Sequence, residues 1–150
     1  MYVKREDFVP LFFIGENTMD TDKYIGIPYK FNGDTFEGAD CLGLVRLFYR
    51  EHGWIKIDDG LPIDENWMKD APRRIVRWFG AHFNKTKNPN DMTYGDICIF
   101  LINREIHFGI YVGNGRLLST QIVDGYTNSY STIYHRQWWQ PFFKVAYKRK

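Results

Sequence analysis

The sequence predicts one α+β domain, with a helix early in the chain and an antiparallel sheet late. Three observations predict it. Residues 40–51 repeat apolar side chains at helical spacing, residues 96–122 hold apolar runs joined by a tight Asn–Gly turn, and "FFKVAYK" near the end reads as a closing strand. A chain of 150 residues suits a single domain, taken here as 1–150, and can bury a real core.

In chain order, residues 1–20 read as an irregular arm packed by Phe8, Leu11, Phe12 and Phe13. "TDKYIGIPYKFNGD" opens with a short helical or extended piece and turns at Asn32–Gly33. From Asp40 to Glu51, Cys41, Leu44, Val45 and Phe48 fall at i, i+3, i+4 and i+7, which is one helix face, and Arg46 and Arg50 fall away from it. Asp40 is a good N-cap and Gly53 a good stop. Residues 57–94 read as a helical insertion: "DENWMKDAPRRIVRWFGAHF" is a helix with Pro72 near the start of its second half, and "NKTKNPND" a polar loop. The strands "DICIFLI", "HFGIYVG" and "RLLSTQI" follow.

Composition narrows the function classes. A net charge of +2 is too small to argue for nucleic acid, and the basic tail "KVAYKRK" reads as a solvated end. No stretch reaches the length of a membrane span. "FVPLFFIG" is short and preceded by acidic residues, a poor signal peptide. Aromatics at 18% favour aromatic core filling over a stacking groove, and the pair Trp138–Trp139 is expected to pack rather than to bind substrate. Cys41, Cys98, His107 and His135 lack the paired spacing of a zinc site, so no metal or cofactor is expected.

Two cysteines cannot form a disulfide framework. Cys98 lies in an apolar run and reads as core. Cys41 follows the N-cap, so it occupies a first helical turn, where unpaired N–H groups and the helix dipole favour a thiolate. Its own amide N–H is free to help hold an oxyanion. Gly38 and Ala39 are small and leave room for a substrate. Against this stands its apolar-face position, common for inert buried cysteines.

A nucleophile of this kind needs a base. His52 lies too far along the same helix, His82 sits in the polar end of the insertion, and His135 falls in a late loop. His107 opens "HFGIYVG". Alternation puts Phe108, Ile110 and Val112 on a core face, and His107 with Gly109 and Tyr111 on the other. The group that fixes the imidazole depends on hairpin register. A loop of residues 113–115 puts Gln121 opposite His107 with Ser119 diagonal; a loop of 114–115 shifts the face to Thr120.

The stretches "GIPYKFNGDTFEGADCLGLVRLFY" and "YGDICIFLINREIHFGIYVGNGRLL" resemble the two motifs of the NlpC-type cell-wall cysteine peptidases, which are papain-like. The blocks cover about a third of the chain, in the family's order. The resemblance implies a papain-like fold, with the helix carrying Cys41 packed on a C-terminal antiparallel sheet. It implies Cys41 as nucleophile, His107 as general base, the Tyr29 hydroxyl near the oxyanion, and Asp40 as the acidic residue beside the cysteine. The family's third catalytic residue, usually His and sometimes Asn or Gln, comes about twelve positions after the base. Ser119 stands there, with Gln121 as the nearby alternative, and Leu42 replaces the family's common serine.

The implied function is a cysteine peptidase or amidase cutting an amide bond in peptidoglycan stem peptides. The long insertion and missing signal peptide look most like the phage-tail branch. That implies other tail proteins as partners and a place in the virion, or in the bacterial cytoplasm before assembly. Two other readings use the same residues: a tail module whose catalytic site has decayed, and an acyltransferase or deamidase on the same scaffold.

Overall fold

Among the described residues, six antiparallel strands organise the core. The computed structural model describes residues 21–60, 72–120 and 130–150. The arm expected over residues 1–20 and the first part of the expected insertion helix lie outside the described residues. A 3-10 turn at Asp22–Tyr24 leads into a small hairpin, β1 (Asp34–Thr35) and β2 (Gly38–Ala39), and then helix α1 (Cys41–Glu51). Helix α2 (Pro72–His82) precedes β3 (Asn84–Thr86), β4 (Ile97–Ile102), β5 (Glu105–Tyr111), β6 (Arg116–Ser119) and β7 (Thr132–His135). A four-residue helix, α3 (Arg136–Trp139), and β8 (Phe143–Lys148) close the chain. The large sheet has the order β3-β8-β4-β5-β6-β7. This is the helix-on-antiparallel-sheet arrangement that the sequence predicts.

Strand alternation gives the sheet two apolar faces. Ile97, Ile99, Phe108, Ile110, Leu118 and Tyr147 pack against α1 and α2. Cys98, Phe100, Tyr111, Leu117 and Ala146 pack beneath Met92 and Trp139 on the other side. Cys98 is a core thiol, as its apolar run requires, and Trp139 is fully buried with its indole N–H donated to Gly115 O at 3.0 Å. Trp138 packs at a tilt against Tyr134 and Phe142.

Helix α1 buries Cys41, Leu44, Val45 and Phe48, the face its spacing predicts, and also Leu42, Leu47 and Tyr49. Arg46 donates to Ile57 O at 3.2 Å and Arg50 pairs with Asp34 at 3.4 Å, so the basic side is tied to flanking segments. Gly53, at φ +70°, stands just past the helix in the left-handed region that favours glycine.

Three expectations change. "NKTKNPND" is not all loop: Asn84–Thr86 pair with β8, and Pro89–Asp91 form a 3-10 turn capped by the Asn88 side chain. Only a tertiary partner makes that polar edge a strand. The segment of His135 is not a loop: Thr132–His135 pair with β6, so His135 ends a strand, while Ile75, Phe79 and Phe83 of the insertion join the main core. The basic tail is held down: Lys148 Nζ lies 2.6 Å from the buried Asp96 carboxylate, and the Arg149 guanidinium stacks 3.5 Å over Trp54.

The Gly–Asp pair ahead of β4 is explained by these contacts. Gly95 has φ +92°, and a Cβ there would lie 2.5 Å from the Trp54 ring. Asp96 accepts from Thr93 N–H at 2.7 Å and Arg149 N–H at 3.2 Å besides its lysine.

Candidate active site

Two close approaches of backbone build the site around Cys41. The Asp40 carboxylate caps α1 by accepting the Gly43 N–H at 2.6 Å, and its other oxygen accepts the Asn32 N–H at 2.7 Å. One side chain thus ties the 30–39 hairpin to the start of the helix. The hairpin lies so close that a Cβ on Gly43 would sit 1.6 Å from Gly33 O, and a Cβ on Gly33 2.5 Å from Gly38 O. Gly38 and Ala39 are buried, with Lys30 packed on Gly38, so their small size serves the hairpin itself.

On the sheet side, the loop between β5 and β6 is the three-residue one. Val112 N–H donates to Arg116 O at 3.0 Å, Arg116 N–H returns to Gly113 O at 3.0 Å, and Gly113, Asn114 and Gly115 all have positive φ. Ile110 therefore pairs with Leu118 and Tyr111 with Leu117. This is the loop length for which the sequence puts Gln121, rather than Thr120, opposite His107; Gln121 itself lies outside the described residues. Thr120 is buried, and its hydroxyl has no hydrogen-bond partner among the described residues.

Beyond the Ile110–Leu118 bridge, β5 turns to other partners. N–H and C=O of one strand residue point the same way, and those of Phe108 point toward the β6 side. The Phe108 N–H donates to the Cys41 sulfur, and the Phe108 carbonyl accepts from the Ser119 hydroxyl at 2.5 Å. The head of α1 thus meets β5 one residue after His107. His107 is itself 9% exposed and pairs with Phe100 across the β4–β5 ladder. Gly109 beside it is closely packed: a Cβ would lie 2.3 Å from a Leu117 methyl, which would have to shift.

Electrostatics correct one expectation. From the sequence, a helix start favours the thiolate. Burial instead pushes the Cys41 thiol up to about 12, the Asp40 charge adding to it, and the N–H groups of Phe108, Leu42 and Cys41 act the other way without prevailing. Cys41 is only 4% exposed, and desolvation outweighs the helix terminus. Tyr29 joins this group: burial, then the charges of Asp40, Cys41 and Glu105, push its phenol up to about 12, so it remains a hydrogen donor. Asp40 is also raised by burial, against the pull of its two N–H bonds.

Tyr29, Asp40, Cys41 and the Phe108 amide come together. Sequence reading missed Glu105, whose charge acts on Tyr29. Its signal was the alternation that puts 105 and 107 on one side of the strand. The other histidines are engaged elsewhere or exposed: His52 bridges Phe48 O and the Tyr94 hydroxyl, His82 stacks on Trp78, and His135 is exposed at the end of β7.

Comparison with known proteins agrees with this architecture. The model of the NlpC/P60 family matches residues 26–147. The chain is 30% identical over 115 residues to a gamma-DL-glutamyl hydrolase of Bacillus subtilis (strain 168), a match covering 74% of this chain. It spans about a quarter, 24%, of that curated relative's length. Among solved structures, it is similar to the NlpC/p60 domain of the peptidoglycan hydrolase SagA, with TM-score 0.59, 20% identity and coverage of 87% of this chain and 93% of that one. It is likewise similar to NlpC2 from Trichomonas vaginalis, with TM-score 0.59, 19% identity and coverage of 91% and 48%.

Proposed function

Starting from the chain's membership of the NlpC/P60 family, we propose that it is a cysteine peptidase or amidase hydrolysing an amide bond in peptidoglycan stem peptides. One observation carries the reading: the Cys41 sulfur, at the head of a helix, meets the backbone of β5 one residue after His107, with the Tyr29 phenol in the same field.

The thiol is neutral at rest, so attack and proton loss are coupled. As the sulfur bonds to the substrate carbonyl carbon, His107 takes the thiol proton. The carbonyl oxygen becomes an oxyanion, held by the Cys41 N–H and the protonated Tyr29 hydroxyl. Collapse breaks the C–N bond, the leaving amine receives the proton from His107, and a thioester remains. Water, deprotonated by His107, then cleaves the thioester and returns the thiol. Gln121 orients the imidazole in this scheme, a role supported by the three-residue loop. Asp40 holds the 30–39 hairpin against the start of the helix that carries Cys41.

The relative and the structural neighbour named as hydrolases support hydrolysis, and the neighbour's name supports peptidoglycan as substrate. A place in a phage tail, with other tail proteins as partners, is the finer part of this proposal and is supported by the sequence resemblance. One observation favours a second reading, a tail module without activity: the serine at the family's third catalytic position donates its hydroxyl to a backbone carbonyl. The experiment is release of peptides from purified cell wall by the wild type and by Cys41→Ala and His107→Ala. Loss of release in both variants is expected; undiminished release by Cys41→Ala would end the thiol mechanism, and an inert wild type would favour the second reading.

A further inference from the structure

We propose that Ser119 is a positioning residue that works through the backbone of Phe108: its hydroxyl holds the Phe108 carbonyl, which keeps the Phe108 N–H on the Cys41 sulfur and His107 in place one residue earlier. This inference rests on the Cys41–His107 reading above.

A serine hydroxyl carries one proton, and that of Ser119 goes to Phe108 O at 2.5 Å. Ser119 is 0% exposed, which removes it from contact with substrate. The bond falls where it is needed, beyond the last β5–β6 bridge at Ile110–Leu118. Next to Phe108 stands Gly109, packed closely under the Leu117 and Phe100 side chains. Glycine loosens the backbone it belongs to. A hydroxyl clamp on the neighbouring carbonyl restores the order that the glycine gives up. Both polar groups of Phe108 are then fixed from one side, the N–H by its sulfur acceptor and the C=O by its serine donor. Since misplacement of a reacting group by about 1 Å costs on the order of 100-fold in rate, a partial loosening of this strand is expected to cost roughly 10-fold.

The test uses the full chain with Ser119→Ala and Ser119→Thr, the second of which keeps a hydroxyl. Peptide release gives kcat and KM, and the pH–rate profile gives the acid limb set by the base. Alkylation of Cys41 by iodoacetamide, followed by peptide mass to separate it from Cys98, gives thiol reactivity without any substrate. For Ser119→Ala the expected result is a kcat lower by roughly 10-fold, KM within about twofold, Cys41 alkylation slowed in parallel, and an unmoved acid limb. Ser119→Thr should restore kcat and alkylation together. Unchanged kcat and alkylation in Ser119→Ala would overturn the proposal. So would a displaced acid limb with unchanged alkylation, which would make Ser119 a direct partner of the imidazole. Retained release by Cys41→Ala would instead overturn the parent mechanism, while the alkylation comparison would still decide the clamp.

Discussion

Replacing Gly43 by alanine isolates the contact on which the candidate site is built. Alanine is the better helix former by about 1 kcal/mol, so an unobstructed helix would gain from the change. Here the new Cβ would stand 1.6 Å from Gly33 O and 2.7 Å from Gly33 C. The hairpin must retreat by roughly 1.5 Å to reach even a tight carbon–oxygen contact. That movement strains the bond from Asn32 N–H to Asp40, 2.7 Å, and the one from Asp40 N–H to Gly33 O, 3.3 Å. Overpacking costs about 1–3 kcal/mol and a lost hydrogen bond to a charged group about 1.5–3. Net of the helix gain, the variant should be about 2–4 kcal/mol less stable, a fall in Tm of roughly 5–15 °C for a domain this size. The control is Gly80→Ala on α2, where nothing lies within 4 Å; it should raise Tm by roughly 2–4 °C. Calorimetry of both variants reads the difference. A Gly43→Ala protein as stable as the wild type would refute the claim that the hairpin and helix are locked by this approach.

Other outcomes follow from the same contacts. Asp40 has a folded pKa above its ordinary 3.8 because of burial, so its contribution to stability is fully present below 3.8 and is lost as pH rises through the folded value. Asp40→Asn should flatten the dependence of the urea midpoint on pH over that window, and an unaltered slope would count against a buried carboxylate. Cys41 works in the same direction at high pH: stability is lost between its ordinary 9.0 and about 12, and Cys41→Ala should lessen the alkaline fall in Tm. Lys148→Met leaves Asp96, 1% exposed, with backbone donors but without its cation; a loss of about 2–4 kcal/mol in chemical denaturation is expected, and a neutral result would show the tail contact to be dispensable. Gly109→Ala should lower peptide release and stability together, because a Cβ there would lie 2.3 Å from a Leu117 methyl and 3.1 Å from the Phe100 ring, so buried side chains beside His107 must shift; unchanged release and Tm would count against this packing.

Much of the site was legible because it is built from local rules. A capping aspartate and an i, i+3, i+4 pattern place Cys41 at a helix start whatever the rest of the chain does, and the Asp40–Gly43 bond bears this out. Alternation likewise separates His107 from Phe108 on β5. What was not legible depends on neighbours distant in sequence. No local signal says that Asn84–Thr86 will pair with the last strand, that Lys148 and Arg149 will fasten onto Asp96 and Trp54, or that Glu105 will act on Tyr29.

The amino-acid order alone determined helix α1, the strands β4, β5, β6 and β8, and the residue types at the candidate site, since those follow from periodicity, capping and turn chemistry within a few residues. Tertiary structure decided the electrostatic state of those residues. Whether a thiol at a helix start ionises depends on how much water remains around it, and packing of α1 against β5 removes nearly all of it, so burial prevails over the helix terminus and leaves Cys41 protonated.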